Sequence, residues 1–400
     1  MSEEIKGQEQ ETKKVSRRNV LKAAMAAGGA AVLGFPMIAK GQTGPITMRF
    51  QSTWPSKDIF HEFANDFAHK VNDMTGGDLK IDVLPAGAVV PAFGLLDAVS
   101  KGTLDGGHGV LSYHYGKQNA LAMWGSSPAF GMDANTLLSW HKYGGGKELL
   151  TRIYAAIGAN VVSFPYGPMP TQPLGWYKKP ITKPDDFKGM KFRTVGISID
   201  LFQGMGAAVN ALPGAEIVPA LDRGLLDGAE FNNASSDRAL GFQDVSKVCM
   251  LQSYHQNAEQ FEIIFNKTKF DGLPAKLKVL IEYAVDAASA DMSWKAIHRY
   301  SQDYIELQTK DKVKFYKTPD SVLQKQLDIF EQVLAKKSAE NPLFKDIADS
   351  QSKFAERAVK WYLDTQLSGR MAYNYYFGKR TAAPAAKPAT PAAKTEAKKG

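Results

Sequence analysis

Apolar and polar positions along the chain follow two alternating rhythms, one of period two and one of helical period. Ile46–Ser52 alternates and ends at Thr53-Trp54-Pro55, which predicts a strand. Phe60–Thr75 then sets Phe60, Phe63, Phe67 and Val71 on one face at helical spacing. Leu79–Leu84 reads as a second strand and Pro91–Lys101 as a second helix. The rhythm resumes after Asn160, with strands near Val161–Phe164, Leu174–Lys178 and Lys191–Thr194 and a helix over Ile199–Met205. This β-α-β-α order implies a mostly parallel sheet covered by helices. A late strand, Glu262–Asn266, is rich in β-formers and stands far in sequence from any partner, so the chain is expected to cross back between lobes. Ala275–Thr309 and Phe344–Leu367 are long helical stretches. The second leads into Tyr373-Asn374-Tyr375-Tyr376-Phe377, an aromatic cluster expected either to pack on its own core or to form a subunit interface.

One local pattern occurs twice. Ala98-Val99-Ser100-Lys101-Gly102-Thr103-Leu104-Asp105-Gly106 returns as Ala220-Leu221-Asp222-Arg223-Gly224-Leu225-Leu226-Asp227-Gly228. Each copy reads as a helix end, with a basic residue to complement the helix dipole and a Gly for the cap, followed by a turn into a short strand. A helix-to-strand unit repeated at this distance predicts two similar α/β lobes, and clefts between lobes bind small ligands.

Composition narrows the function. Four hundred residues, 44% of them hydrophobic, suit two domains plus appendages. The net charge of +8 invites a nucleic-acid reading, but its location removes it. Residues 1–41 hold seven basic against four acidic residues, and residues 379–400 hold six against one. Those two ends account for the whole excess, so the body from Gln42 to Gly378 is balanced. A single cysteine, Cys249, excludes an intrachain disulfide and a metal site built from cysteines.

The N-terminal Ser16-Arg17-Arg18-Asn19-Val20-Leu21-Lys22 resembles the twin-arginine export signal. A mildly apolar Ala/Gly stretch follows to about Ile38, too short and weak for a span that needs roughly twenty strongly apolar residues. Cleavage near Ala39-Lys40-Gly41 would release a periplasmic protein. The expected organisation is a signal over 1–41, a first lobe over 42–163 with a returning segment at about 251–270, and a second lobe over 164–250. A helical region over 271–378 packs on the lobes and offers a homodimer interface. The Ala/Pro/Lys tail over 379–400 is expected to be disordered.

Catalytic signatures are absent: there is no nucleophile elbow, HExxH or Walker A sequence. Gly144-Gly145-Gly146-Lys147 continues into Glu148 where a phosphate loop needs Ser or Thr, and Gly204-Met205-Gly206 lacks the third glycine of a dinucleotide fingerprint. His108 and His114, with five residues between them on a loop, have poor spacing for zinc, and neither is expected to ligate it. An enzyme is not expected.

Asp186-Phe187-Lys188-Gly189-Met190-Lys191-Phe192-Arg193 resembles a segment of the extracytoplasmic solute-binding proteins of TRAP transporters. Gly224-Leu225-Leu226-Asp227-Gly228-Ala229-Glu230 resembles that family's next motif at the expected distance, and the similarity runs from Ile46 to Phe377. Gly175-Trp176 after Gln172, Tyr113 and Tyr115 before Gly116-Lys117, and Tyr254-His255-Gln256 before Phe265-Asn266-Lys267 are most similar to the branch that binds 2-oxo and 2-hydroxy monocarboxylates with a metal ion.

The resemblance implies an α/β fold of the two-lobed periplasmic-binding-protein type (type II) with long C-terminal helices. It also implies capture of an organic acid by cleft closure and delivery to the membrane subunits of a TRAP permease. Arg193, at the end of a short strand, suits a carboxylate because its planar guanidinium is always charged and binds both oxygens. Glu230 would repel an acid unless a cation lies between them. The resemblance implies such a cation, held by Gln172, Glu230, the Phe231 carbonyl and Gln256. These are oxygen donors that favour sodium or calcium. Asn232, Asn233, Tyr113 and Tyr115 are further candidate ligand contacts. Phe231-Asn232-Asn233-Ala234 departs from the Trp and Gly-Pro common in the branch, and Gln256 stands where many relatives carry Glu. These departures leave open a dicarboxylate or larger acid bound without metal. A subunit that presents its ligand to a membrane sensor is the alternative from another class.

Overall fold

The computed structural model describes residues 44–378. The twin-arginine segment with its cleavage site and the tail from Thr381 lie outside the described residues. Two sheets organise the rest. The first has strand order β2-β1-β3-β10-β4, built from β1 (Ile46–Ser52), β2 (Leu79–Leu84), β3 (Gly106–Val110), β4 (Val161–Met169) and β10 (Glu259–Asn266). β1 runs parallel to β2 and β3, whereas β10 is antiparallel to both β3 and β4. The second has order β11-β9-β5-β8-β6-β7, from β5 (Gly175–Tyr177), β6 (Lys191–Arg193), β7 (Ala208–Asn210), β8 (Gly228–Ala229), β9 (Val248–Leu251) and β11 (Lys314–Lys317). The mixed α/β architecture expected from the sequence is therefore present, with the late strand seated in the first sheet.

Helices cover both sheets. α1 (Ile59–Met74) begins where Asp58 accepts a hydrogen bond from the Phe60 amide at 3.1 Å. It buries Phe60, Phe63, Phe67 and Val71, each worth about 1.5–3 kcal/mol of transfer free energy. The repeated motif is real in three dimensions. α2 (Leu95–Ser100) ends at Gly102, φ +77°, and leads to β3, while α6 (Gly214–Asp222) ends at Gly224, φ +70°, and leads to β8. Between these lie α3 (Ala134–Tyr143), α4 (Gly146–Ala156) and α5 (Ser198–Gly204), and α7 (Ala234–Leu240) follows β8.

The 35-residue α8 (Ala275–Thr309), about 50 Å long at 1.5 Å per residue, packs against α1 and β4 of the first lobe and α7 of the second. α9 (Asp320–Glu340) and α10 (Pro342–Thr365) complete the helical layer. The chain passes between the lobes three times: from β4 to β5, from β9 back to β10, and from α8 to β11.

Some expectations need correction. The helix expected over Pro91–Lys101 is a 3-10 turn at Ala92–Gly94 followed by the shorter α2, because Pro91 and Gly94 interrupt its start. The strand expected at Val161–Phe164 continues to Met169, held by β10. β11 was not expected: Lys314-Phe315-Tyr316-Lys317 is too short and too polar at its ends, and it forms by pairing with β9. The terminal aromatics do not pack on the core of their own chain, with Tyr373 63%, Tyr376 66% and Phe377 50% exposed.

Candidate ligand-binding site

The strands of the second lobe stop where the polar side chains of the seam begin. β6 ends at Arg193, which is 1% exposed, and β8 ends one residue before Glu230, which is fully buried. Arg193 donates from Nε to the Leu212 carbonyl at 2.8 Å. From Nη1 it donates to the Glu230 carbonyl at 3.0 Å and to Glu230 Oε1 at 2.8 Å. The Phe231 ring lies 5.6 Å from its guanidinium carbon. Burial pushes the Glu230 carboxyl up, but Arg193, followed by His255, more than offsets this and holds it below the usual carboxylate range.

Gln172 and Gln256 lie on the first two passages between the lobes, and the Gln172 amide donates to the Gln256 carbonyl at 3.3 Å. What these four side chains leave unused defines the site. Arg193 Nη2, Gln172 Oε1 and both amide atoms of Gln256 are buried without a hydrogen-bond partner, as is Glu230 Oε2, which has His255 Nε2 3.9 Å away. An unsatisfied buried polar group costs roughly 1–3 kcal/mol, so their concentration here marks these residues as a candidate ligand site. Arg193, Gln172 and Gln256 line a tight cavity of about 10 Å³, room for about one water.

The first lobe closes this cavity with Trp54, Phe60, Val110, Ser112 and Tyr113, and Glu259 enters from the start of β10. Phe231 and Asn232 complete the second-lobe side. Asn232 donates to the Met169 sulfur at 3.3 Å, and its amide is held by Asp237 at 3.0 Å.

Three expected contacts do not line the cavity: Glu230, which is held against Arg193 behind the lining, Asn233 and Tyr115. Asn233 is the N-cap of α7: it accepts from the Ser235 and Ser236 amides at 3.0 and 2.9 Å and donates to Asn232 at 2.8 Å. The helix start claims its side chain. Tyr115 lies on a 3-10 turn that aims it at the rim, where it donates to Asp200; Lys337 pairs with the same carboxylate at 2.9 Å and sits 5.5 Å from the tyrosine ring. Sequence reasoning missed Glu259. The available signal was a glutamate in a strand buried along its whole length.

Both histidines weighed for zinc are buried in the core, His114 with its Nδ1 unpartnered. His108 accepts from Trp54 Nε1 at 2.8 Å and contacts the Tyr166 hydroxyl, and burial lowers its pKa to about 3. His114 lies 3.2 Å from Glu262. Among the described residues no three His, Cys, Asp or Glu side chains gather around one point for a metal. A cation in this seam would instead be held by amide and carboxylate oxygens.

The lobes meet over the site. Ser198 Oγ is 2.7 Å from the His255 carbonyl and 3.0 Å from that of Ser126, and Ser236 donates to Asp58 at 2.6 Å. Gly196, at φ +64°, lets the second lobe approach so closely that a Cβ there would stand 2.1 Å from Ser126 Oγ.

Comparison with known proteins places this geometry in context. Residues 50–341 match the family model described as bacterial extracellular solute-binding protein, family 7. The monocarboxylate 2-oxoacid-binding periplasmic protein of Nostoc sp. strain PCC 7120 is 30% identical over 340 residues, covering 81% of this chain and 88% of the relative. A TRAP transporter solute-binding protein from Bordetella bronchiseptica, a mixed-occupancy dimer with copurified calcium and picolinate in one active site, superposes with a TM-score of 0.78. It is 26% identical and covers 85% of this chain and 99% of its own. A TRAP periplasmic solute-binding protein from Pseudoalteromonas atlantica with bound sodium and pyruvate gives a TM-score of 0.76 at 28% identity, over 83% of this chain and 99% of its own.

Proposed function

The chain belongs to family 7 of the bacterial extracellular solute-binding proteins, those of TRAP transporters, and we propose on that premise that it captures a small 2-oxo or 2-hydroxy monocarboxylate together with sodium or calcium. The observation that carries this reading is that one unpartnered guanidinium nitrogen of Arg193 and the unpartnered oxygens of Gln172 and Gln256 belong to residues lining one cavity, with Glu230 held against Arg193 behind it.

Arg193 holds the ligand carboxylate, with Nη2 supplying the free donor, while Glu230 fixes the guanidinium plane from behind. Glu230, Gln172, Gln256 and the Phe231 carbonyl hold the cation. When bound, the cation neutralises Glu230 and attracts the ligand oxygens. The donor set is all oxygen, which suits a hard cation. Sodium with pyruvate and calcium with picolinate in the two related structures agree with it.

A tight cavity in which Arg193 is the one basic lining residue supports a monocarboxylate over a dicarboxylate, which would need a second cationic partner. Closure brings the first-lobe wall onto the ligand, so the acid stabilises the shut state that a permease receives. Export through the twin-arginine segment places this capture in the periplasm.

The protein acts as a homodimer in this reading. Leu367 at 92%, Met371 at 74% and Tyr376 at 66% exposure put an apolar surface in water that a second subunit would cover.

A thermal-shift series with pyruvate, lactate and dicarboxylates, each with sodium, calcium or neither, tests the reading. A ligand that binds only the native state raises Tm as its concentration exceeds Kd. Stabilisation by the monocarboxylates that vanishes without the cation is expected, and Glu230→Gln should remove that cation dependence. Stabilisation by dicarboxylates alone, with or without cation, would overturn both assignments.

A further inference from the structure

Glu259 is the one acidic group that the first sheet sends into the cavity, and neither the carboxylate clamp nor the cation donors use it. Three features aim and hold it. In β10, Phe261 stands opposite Val110 of β3, which carries Glu259 alongside Ser112 just beyond the end of β3. The Ser112 hydroxyl donates to Glu259 Oε1 at 2.5 Å. Behind it, Gly125 leaves the room its stem occupies: a Cβ there would stand 2.5 Å from Glu259 Cγ. The residue is 3% exposed and opens only onto the cavity lined by Arg193, Gln172 and Gln256.

We propose that Glu259 is a specificity-determining residue whose carboxyl donates a hydrogen bond to the oxygen at the 2-position of the ligand, selecting a 2-oxo over a 2-hydroxy acid. This rests on the monocarboxylate reading of the site. Charge balance favours the donor form. Arg193 is matched by Glu230 and, with sodium bound, the ligand carboxylate is matched by the cation, so a further anion in the buried cavity would stand unbalanced. Burial, with Glu230 adding to it, pushes the Glu259 carboxyl up to about 8, against the pull of Ser112 and Arg193. With Oε1 taken by Ser112, the proton lies on the oxygen free to face the ligand. A carbonyl oxygen accepts that bond. A hydroxyl can accept it as well, but it brings its own proton into the same space, and in this reading the Gln172 and Gln256 oxygens that could take that proton are committed to the cation.

The test is calorimetric titration of pyruvate and lactate, at one fixed sodium concentration, into wild type, Glu259→Gln and Glu259→Ala. Wild type should bind pyruvate at least about tenfold more tightly than lactate. Glu259→Gln keeps an oxygen for Ser112 and an N–H for the ligand, and should keep that ratio within about threefold. Glu259→Ala should bring the ratio close to one. The ratio, not absolute affinity, is the readout, because loss of the Ser112 partner alone would weaken both acids equally. A wild-type ratio near one, an unchanged ratio in Glu259→Ala, or a lost ratio in Glu259→Gln would each overturn the proposal. Failure of wild type to bind either acid would overturn the monocarboxylate reading itself, and is distinguishable because no ratio then exists.

Discussion

The two lobes share an architecture and a repeated motif, yet they are built to different proportions. Strands of the first sheet run five to nine residues; those of the second run two to four. Long paired strands make the first lobe a firm wall of apolar and aromatic side chains. Trp54, Phe60, His108, Tyr166 and Phe261 interlock there by edge and tilted ring contacts. Short strands in the second lobe release the chain early into segments whose polar groups can reach the seam. Arg193 and Glu230 both occupy such strand ends. The difference suggests a division of labour under the proposed reading, in which the second lobe supplies charge and the first supplies shape together with Glu259.

The sharpest way to break that division is Arg193→Ala. If charge resides in the second lobe, acid binding should fall on the order of 100-fold or more by calorimetry. The variant should also unfold at lower temperature, since a buried carboxylate left without its partner costs about 3–5 kcal/mol. Affinity within threefold of wild type would place the charge-bearing contact elsewhere.

Gly196→Ala tests whether the lobes must meet. The added methyl would collide with Ser126 and sit at a positive φ, so the cleft should stay ajar, with a larger radius of gyration in solution scattering and about tenfold weaker binding of every acid. A change in selectivity instead of a uniform loss would argue against it.

The smallest effect expected is on stability against pH. Burial raises the Asp58 carboxyl of the first lobe to about 6 and the Asp237 carboxyl of the second to about 7, despite hydrogen bonds from Ser236 and Trp176 that oppose it. Their folded values exceed the unfolded ones, so the native state binds more protons between about pH 4 and 7. Stability should therefore fall as pH rises through that window, by a few degrees of Tm. A Tm that rises from pH 5 to pH 7.5 would show that the seam does not hold these protons.

Legibility from sequence followed the same divide. Ile46–Ser52, Leu79–Leu84 and Ala275–Thr309 have the bounds expected from their patterns, because long elements with one buried face write a clear period. Two- and four-residue strands such as β8 and β11 write none, and their pairing is a tertiary fact. Arg193, Glu230, Gln172 and Gln256 were expected from chemistry and resemblance, and they gather at the seam. Tyr115 and Asn233 were expected with them, but side-chain direction on a 3-10 turn and at a helix cap is decided by local geometry that composition does not carry. Glu259 went unnoticed because the strand was read from Glu262 onward, which placed Glu259 outside it.

The three passages between the lobes have a mechanical consequence. A single connecting strand would let one lobe swivel and twist as well as swing. Three attachments spread across the seam leave essentially one rotation, as several pins along an edge do for a door. Shutting is then a search along one coordinate, with little orientational freedom left to lose when the acid arrives. Every loaded molecule also presents the same outline, so a membrane partner can tell full from empty by shape alone, without touching the cargo.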